Sequence, residues 1–275
     1  MRYGVPYRGS KNKIAQWVIS NLPAGDTLID LFAGGCAVTH AALLSGKWNH
    51  IVANDIGDAP QLFMDAVHGK YVNEKRWISR EDFHRLKDSD PYVSLCWSFG
   101  NNRTDYLYSK EIEPWKKALH YARVFGDASL LREFCVDEKN CRLESLGRLQ
   151  SLNNLQRLQS IQKLNDSDKI TLSQKDYRDV EIQEGSIVYA DPPYKKTRCT
   201  GYKGKFDYDA FEHWLLDVPF MVVISGYECP VECMEVAQIS KQPIIGTNNL
   251  YGSNVERLFV QERFAKQYKQ MMGRF

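Results

Sequence analysis

Apolar residues recur with strand and helix periodicities at both ends of the chain, a pattern that predicts an α/β fold. Four apolar residues between 14 and 22 share one helical face, so we expect an amphipathic helix over 11–22. The β-branched run at 220–224 is expected at the centre of a parallel sheet, and 257–261 is expected as a late edge or antiparallel strand. Further strands are predicted at 27–31, 51–55, 169–172 and 186–189, with helices up to 46 and over 60–68.

This alternation stops between residues 69 and 168. A stretch of that length is too long for a loop in a compact domain, so we predict an inserted, mainly helical domain. The α/β domain then consists of 1–68 and 169–275. From Leu143 to Leu164 an aliphatic residue stands at every third position. Because steps of three drift around a helix axis, we expect this segment to pack on several sides within the insertion, with a dimer contact as the alternative.

The composition excludes several classes of protein. The 275 residues carry a net charge of only +2, so any surface for nucleic acid must be a local basic patch. Seven cysteines, without a C-x-x-C pair or a histidine cluster, predict reduced thiols in a cytoplasmic protein and no metal site. The sequence has no apolar signal segment and no apolar run of about 18 residues, so neither secretion nor membrane spanning is expected.

A carboxylate, two prolines and an aromatic ring follow the predicted strand at 186–189. Asp191 and the carbonyl of Pro192 can accept the two protons of a planar amine, which frees the nitrogen lone pair for attack. Pro192 and Pro193 stiffen the turn, and Tyr194 can stack on a ring. Residues 225–227 are expected to line the same pocket. The alternative is a Pro-Pro strand exit with a solvated aspartate.

Residues 27–38 predict a buried strand, a glycine turn and then a helix. Gly34 and Gly35 let the backbone pass close to a ligand, and the helix presents N–H groups to it, which is typical of nucleotide sites. Asp55 ends the second strand, where an acid can hold both hydroxyls of a ribose. Alternatively, Asp55 is the N-cap of the helix that begins near Pro60.

Four motifs follow one another along the chain: Tyr7-Arg8-Gly9-Ser10-Lys11, DLFAGG at 30–35, ANDI at 53–56 and DPPY at 191–194. Their order and spacing resemble the Dam family of S-adenosylmethionine-dependent DNA adenine-N6 methyltransferases, in particular the phage-type members of the D12 class. The resemblance implies a Rossmann-like methyltransferase sheet, mostly parallel with one late antiparallel strand, and places target recognition in the insertion. It also implies methyl transfer, without a metal, to the N6 amine of an adenine flipped out of double-stranded DNA. We expect a monomer or weak dimer in the bacterial cytoplasm, or in the host cytoplasm if a phage encodes the protein.

The resemblance also assigns most of the cofactor site. It implies that Asp55 binds the ribose, that Lys11 neutralises the methionine carboxylate, and that Tyr7 lies beside that group. Asp176 would accept a hydrogen bond from the adenine amino group of the cofactor, while Tyr177 contacts the ring.

The remaining cofactor residues surround the glycine turn. Phe32 and Ile56 are expected to pack beside the adenosine, and Asp30 is expected to order the turn. The backbone expected to leave room for the methionine moiety is that of Ala33, Gly34 and Gly35.

In the insertion, the sequence predicts DNA contacts in one loop and one helix. Asn101, Asn102 and Arg103 can pair with base edges in the major groove, and Lys116 and Lys117 can contact phosphates. Residues 109–115 depart from the pattern of the GATC-reading members, so the recognition sequence stays open.

Two other interpretations are compatible with these motifs. Related amine methyltransferases act on RNA or on protein glutamine, and a catalytically silent relative would bind DNA as a regulator or a specificity module. The amine methyltransferases usually begin the aromatic-proline motif with asparagine, where this chain has Asp191. Together with Asp55 and Lys11, Asp191 favours an active DNA methyltransferase.

Overall fold

The computed structural model describes residues 2–134, 149–161, 164–194, 206–228, 230–240 and 255–273. The chain forms two compact units. The first consists of Met1–Gly4, Lys11–Pro60 and Asp166–Phe275, and the second of Val5–Ser10 and Gln61–Asn165. Among the described residues, all the strands belong to the first unit, while the second is mainly helical.

Seven strands lie in the described residues: β1 (Thr27–Asp30), β2 (His50–Asn54), β3 (Ile170–Ser173), β4 (Ile187–Ala190), β5 (Val222–Gly226), β6 (Cys233–Ser240) and β7 (Val255–Gln261). They form one sheet in the order β3-β2-β1-β4-β5-β7-β6. Neighbouring strands from β3 to β5 are parallel, and β7 is antiparallel to both β5 and β6. The predicted mostly parallel sheet with one late antiparallel strand is therefore confirmed.

The α-helices of the described residues are α1 (Ala15–Ser20), α2 (Ala37–Ser45), α3 (Ala59–Val67), α4 (Arg80–Leu86), α5 (Pro91–Cys96), α6 (Glu113–Phe125), α7 (Gln150–Ile161), α8 (Tyr208–Asp217) and α9 (Ala265–Met271). The predicted first helix starts with a 3₁₀ turn before α1 begins. The helices predicted to follow the first two strands correspond to α2 and α3.

Helices pack on both faces of the sheet. On one face, Ile29 of β1 and Val188 of β4 form an apolar cluster with Phe211 and Leu215 of α8. Successive residues of a strand point to opposite faces, so Asp30 of β1 lies on the other face. There it accepts a hydrogen bond from Thr39 of α2. Since β1, β2 and β4 are parallel, the segments that follow them emerge at the same edge of the sheet. The glycine turn, the end of the ANDI motif with Asp55, and the DPPY motif all lie in these segments.

The late strands differ from the prediction in two respects. β5 lies between parallel β4 and antiparallel β7, so it ends the parallel part of the sheet and does not occupy its centre. β7 is antiparallel as expected, but it is not the edge, because β6 pairs with its other side. The sequence pattern gave no prediction of β6, whose residues are mostly half-buried or exposed.

In the second unit, the described part of the period-three stripe packs internally. Leu155, Leu158 and Ile161 of α7 are buried. Asn154 on the same helix donates to the Cys96 carbonyl at 2.8 Å. These contacts favour packing within the unit over a dimer contact for 149–161. The first members of the stripe, before Leu149, lie outside the described residues.

Candidate active site

Lys11, Asp191 and Tyr194 meet just beyond the carboxyl end of β4. The Lys11 Nζ lies 2.6 Å from each carboxylate oxygen of Asp191 and 2.7 Å from the Tyr194 hydroxyl. The Tyr194 hydroxyl also lies 3.1 Å from Asp191 Oδ1. Lys11 was predicted from the sequence to serve the cofactor, whereas these contacts bring its amine to the DPPY motif.

The turn that carries this motif is well packed, with Pro192 buried and Pro193 half-buried. Tyr227, just after β5, meets the Tyr194 ring edge to face, with ring centroids 4.6 Å apart. Tyr227 therefore contacts the aromatic residue of the DPPY motif, and the lining of an amine pocket by 225–227 stays a prediction.

Glu256 of β7 completes the cluster, and sequence reasoning did not single it out. Its side chain is completely buried and accepts a hydrogen bond from Ser225 Oγ at 2.7 Å. The Tyr194 hydroxyl makes a short hydrogen bond to the same carboxylate oxygen, and Lys11 Nζ lies 3.6 Å from it. A signal was available in the sequence. In a strand Glu256 lies on the same face as the apolar Leu258 and Val260, a face that is expected to be buried.

Burial and charge together set the protonation of the cluster. Burial raises the pKa of Asp191, the Lys11 charge opposes that rise, and the Glu256 carboxylate adds to it. Burial alone would lower the pKa of Lys11, but Asp191 and Glu256 outweigh it, so that pKa is raised. Burial also raises the pKa of Tyr194, with the two carboxylates adding to the effect. Lys11 is therefore a cation and Tyr194 a neutral phenol at neutral pH.

Asp55 holds the glycine turn in place. Its Oδ2 accepts from the Gly34 N–H at 2.8 Å, and its Oδ1 accepts from the Gly57 N–H at 2.7 Å. The turn also packs tightly against the N-terminal segment, since a Cβ on Gly4 would lie 2.1 Å from the Gly35 carbonyl oxygen.

Asp30 ties the end of β1 to the first turn of α2. Its Oδ2 accepts from the Thr39 N–H at 3.1 Å and from Thr39 Oγ1 at 2.7 Å. Burial raises the pKa of Asp30 to about 7, despite the opposing hydrogen bonds from Thr39. Asp30 thus links β1 and α2, the elements on either side of the glycine turn, in keeping with its predicted ordering role.

The predicted adenosine residues lie at the ends of the first three strands. The Phe32 and Tyr177 rings are 5.4 Å apart, and Tyr177 is buried against Trp214, so it belongs to an aromatic core cluster. Asp176 accepts from Arg178 Nε at 2.8 Å and from Nη2 at 2.9 Å. Hydrogen bonds from Arg178 lower the pKa of Asp176. The Ile56 side chain is 62% exposed, which leaves an apolar surface open directly after Asp55.

Tyr7 belongs to the second unit, in Val5–Ser10, where its carbonyl accepts from the Ser10 N–H at 3.3 Å. Its side chain is half-buried.

The predicted DNA loop uses its amides internally. Asn101 donates to the Leu95 carbonyl at 2.7 Å. The Asn102 oxygen accepts from the Thr104 N–H at 2.9 Å, and its amide donates to Asp105 at 2.7 Å. These bonds compete with base reading by both asparagines. Arg103 is half-buried with a left-handed backbone φ of 65°, and its N–H donates to Ser98 Oγ at 3.0 Å, so its contact with DNA stays a prediction.

The two predicted phosphate contacts lie on α6. Lys116 is half-buried and Lys117 is exposed, with its amine 5.9 Å from the centre of the Tyr121 ring. Burial lowers the pKa of Lys116. Lys117 is therefore the better placed of the two to contact a phosphate.

No cluster of three or more potential metal ligands occurs among the described residues. No helix in these parts of the chain combines the length and the hydrophobicity required to cross a bilayer.

A comparison with curated proteins found no significant match. The sequence profile of the D12 class N6 adenine-specific DNA methyltransferase family matches residues 7–241, which is most of the chain. The matched range includes the glycine turn, Asp55 and the DPPY motif, and it agrees with the resemblance seen in the sequence. The chain therefore belongs to the D12 class of N6 adenine-specific DNA methyltransferases.

Proposed function

We propose that Asp191 accepts a proton of the target adenine's N6 amine and that this contact makes the amine nucleophilic. The observation that carries the proposal is a half-buried carboxylate at the end of β4, which is held by Lys11 and has the Tyr194 hydroxyl 3.1 Å from its Oδ1. With one amine proton on Asp191 and the other on the Pro192 carbonyl, the nitrogen lone pair is freed for attack.

The family implies S-adenosylmethionine as the methyl donor, and the residues at the other strand ends fit that group. Asp55 offers acceptors for ribose hydroxyls beside the exposed apolar side chain of Ile56, a combination suited to a nucleoside. Bound S-adenosylmethionine would supply a methyl group on a sulfonium that carries its own leaving group, so no protein nucleophile is required. The residues that would hold it are Phe32, Ala33, Gly34, Gly35, Asp55, Ile56, Asp176 and Tyr177, while Asp30 orders the glycine turn.

Lys11 keeps Asp191 in its accepting form. Burial raises the pKa of Asp191 and so favours the protonated carboxyl, which has one fewer acceptor for the amine. The Lys11 charge opposes this, because it favours the ionised form at 2.6 Å. We assign Lys11 primarily to Asp191, and any contact with the methionine carboxylate is secondary.

Tyr194 provides a stacking face for the base. An adenine within a duplex cannot reach a site at the end of a buried strand, so the enzyme flips the nucleotide out of the helix. The Tyr194 ring, with Tyr227 at its edge, replaces the lost stacking.

The insertion at 69–168 carries target recognition, with 1–68 and 169–275 as the catalytic domain. Arg103 reads a base edge, and Lys117 contacts the phosphates of double-stranded DNA. A state no larger than a weak dimer, and a cytoplasmic location, stay predictions from the sequence.

Parallel measurements of methyl transfer and cofactor affinity on three variants test this assignment. Asp191→Ala should abolish transfer to duplex DNA and leave the cofactor Kd within a few-fold of the parent's. Asp55→Ala should weaken cofactor binding by about 1.5–3 kcal/mol through loss of charge-assisted hydrogen bonds. Asp217→Ala, an exposed aspartate at the end of α8, is the control and should match the parent in both.

Equal loss of cofactor affinity in Asp191→Ala and Asp55→Ala would place Asp191 in the cofactor site and end the proposal. A parent protein that methylates RNA or protein but no duplex would favour the amine methyltransferases. DNA binding without any transfer would identify a silent relative.

A further inference from the structure

Glu256 is a buried carboxylate within the active-site cluster to which the proposed chemistry gives no part. It lies on β7, with no exposed side-chain surface, on the same face of the strand as the apolar Leu258 and Val260. Burial of an ionised carboxylate is costly unless several donors compensate it. At Glu256 the donors are Ser225 Oγ at 2.7 Å and the Tyr194 hydroxyl, with the Lys11 amine at 3.6 Å.

The Tyr194 hydroxyl has one proton and two carboxylates within reach. Asp191 Oδ1 lies 3.1 Å away, and Glu256 Oε1 lies closer. The proton therefore goes to Glu256, and the phenol oxygen is left to accept from Lys11 Nζ at 2.7 Å. Ser225 donates to the same oxygen of Glu256 and so fixes its position.

This directionality has a consequence for Asp191. If the Tyr194 proton pointed to Asp191, one carboxylate oxygen would lose a lone pair that the target amine needs. With that proton held by Glu256, the donor to Asp191 among the described side chains is Lys11. The same hydrogen bond fixes the plane of the Tyr194 ring.

We propose that Glu256 is a positioning residue that orients the Tyr194 hydroxyl and ring, and thereby keeps Asp191 open to the target amine. The proposal rests on the proposed function of Asp191. It assigns Glu256 no contact with substrate or cofactor, so any slowing of transfer in its variants must pass through the Tyr194 hydroxyl. The Glu256 charge by itself raises the pKa of Asp191, so its loss favours the ionised carboxylate and would not slow transfer.

A double-mutant cycle on the full chain tests that route, with single-turnover methyl transfer at saturating cofactor and DNA as the readout. Glu256→Gln keeps an oxygen for the Tyr194 hydroxyl but removes the charge that strengthens this hydrogen bond, so it should slow transfer by roughly 5- to 10-fold. Cofactor affinity should stay within a few-fold. In the Tyr194→Phe background the same change should have almost no further effect, because the hydroxyl it acts through is gone.

Glu235→Gln is the matched control, since this exposed glutamate of β6 forms an ion pair with Arg257 at 3.1 Å. It should leave the rate unchanged in both backgrounds. If Glu256→Gln does not fold, Ser225→Ala takes its place in the cycle. Ser225→Ala removes the hydrogen bond that fixes the Glu256 carboxylate, so it should slow transfer only where the Tyr194 hydroxyl is present.

Effects of Glu256→Gln and Tyr194→Phe that simply multiply would overturn the proposal, as would an unchanged rate in Glu256→Gln. If the parent methylates duplex DNA, either result leaves the proposed role of Asp191 unaffected. A parent that transfers no methyl group to any duplex would remove the proposed function, and this inference with it.

Discussion

Replacement of Asp30 by asparagine should remove a pH dependence from the stability of the fold. Asp30 is buried, binds the backbone and side chain of Thr39, and has a pKa of about 7. Asparagine keeps an oxygen for both Thr39 donors and resembles the protonated carboxyl in shape. The variant therefore changes the titration while it preserves the link between β1 and α2.

The size of the effect follows from the difference between the folded and unfolded pKa values of Asp30. The folded protein keeps a proton that the unfolded chain releases above its ordinary value of 3.8, so stability is lost as the pH rises from 3.8 to about 7. At about 1.4 kcal/mol for each pKa unit, the complete loss is about 4 kcal/mol. Between about pH 5 and about pH 8 the parent should lose about 2–3 kcal/mol relative to Asp30→Asn.

Urea unfolding followed by far-ultraviolet circular dichroism, at several pH values in this range, measures the difference. Asp217→Asn, which removes an exposed carboxyl at the end of α8, is the control and should follow the parent. The reasoning is refuted if the unfolding free energies of the parent and of Asp30→Asn change in parallel with pH. That result would mean that Asp30 is already ionised at pH 5 in the folded protein.

Three further substitutions test separate parts of the account. Gly4→Ala would place a Cβ 2.1 Å from a carbonyl oxygen of the glycine turn, whereas a Cβ on Gly46 meets nothing within 4 Å. Gly46→Ala should lower the free energy of unfolding by about 1–2 kcal/mol through its left-handed backbone alone, and Gly4→Ala should lower it by much more. Equal losses in urea unfolding would contradict the close packing. Lys11→Gln removes the charge that opposes burial at Asp191, so the rising limb of the pH–rate profile should move to higher pH, and a superimposable profile would contradict that role. Arg103→Ala should relax base preference at one position by about 1–3 kcal/mol without a change in salt dependence. A uniform loss of affinity, with the salt slope smaller by about one, would identify a phosphate contact instead.

Local sequence patterns were sufficient for the elements that carry the main motifs. The strand before the glycine turn and the strand before the DPPY motif both combine a short apolar run with a strong turn signal. Parallel pairing then brings their ends to one edge, which follows from the fold class alone. β6 lacks such a signal, because an edge strand with few buried residues shows no clear alternation.

The central hydrogen-bond network could not be predicted from local patterns. Glu256 binds Ser225 and Tyr194, which lie 31 and 62 positions away, and sheet pairing is what brings them together. In the loop at 98–106 the hydrogen bonds are local, but their partners still could not be predicted. Short polar side chains such as Asn102 satisfy their own backbone, and the sequence does not distinguish that use from base recognition.

The identity of the methylated nucleoside tests the central claim most directly. A duplex that contains all four bases would be incubated with the protein and isotopically labelled S-adenosylmethionine, digested to nucleosides, and analysed by mass spectrometry. The account predicts label in N6-methyl-2′-deoxyadenosine for the parent and none for Asp191→Ala, although that variant still binds the cofactor. Label in a methylated cytosine, or undiminished label in adenine with Asp191→Ala, would contradict it.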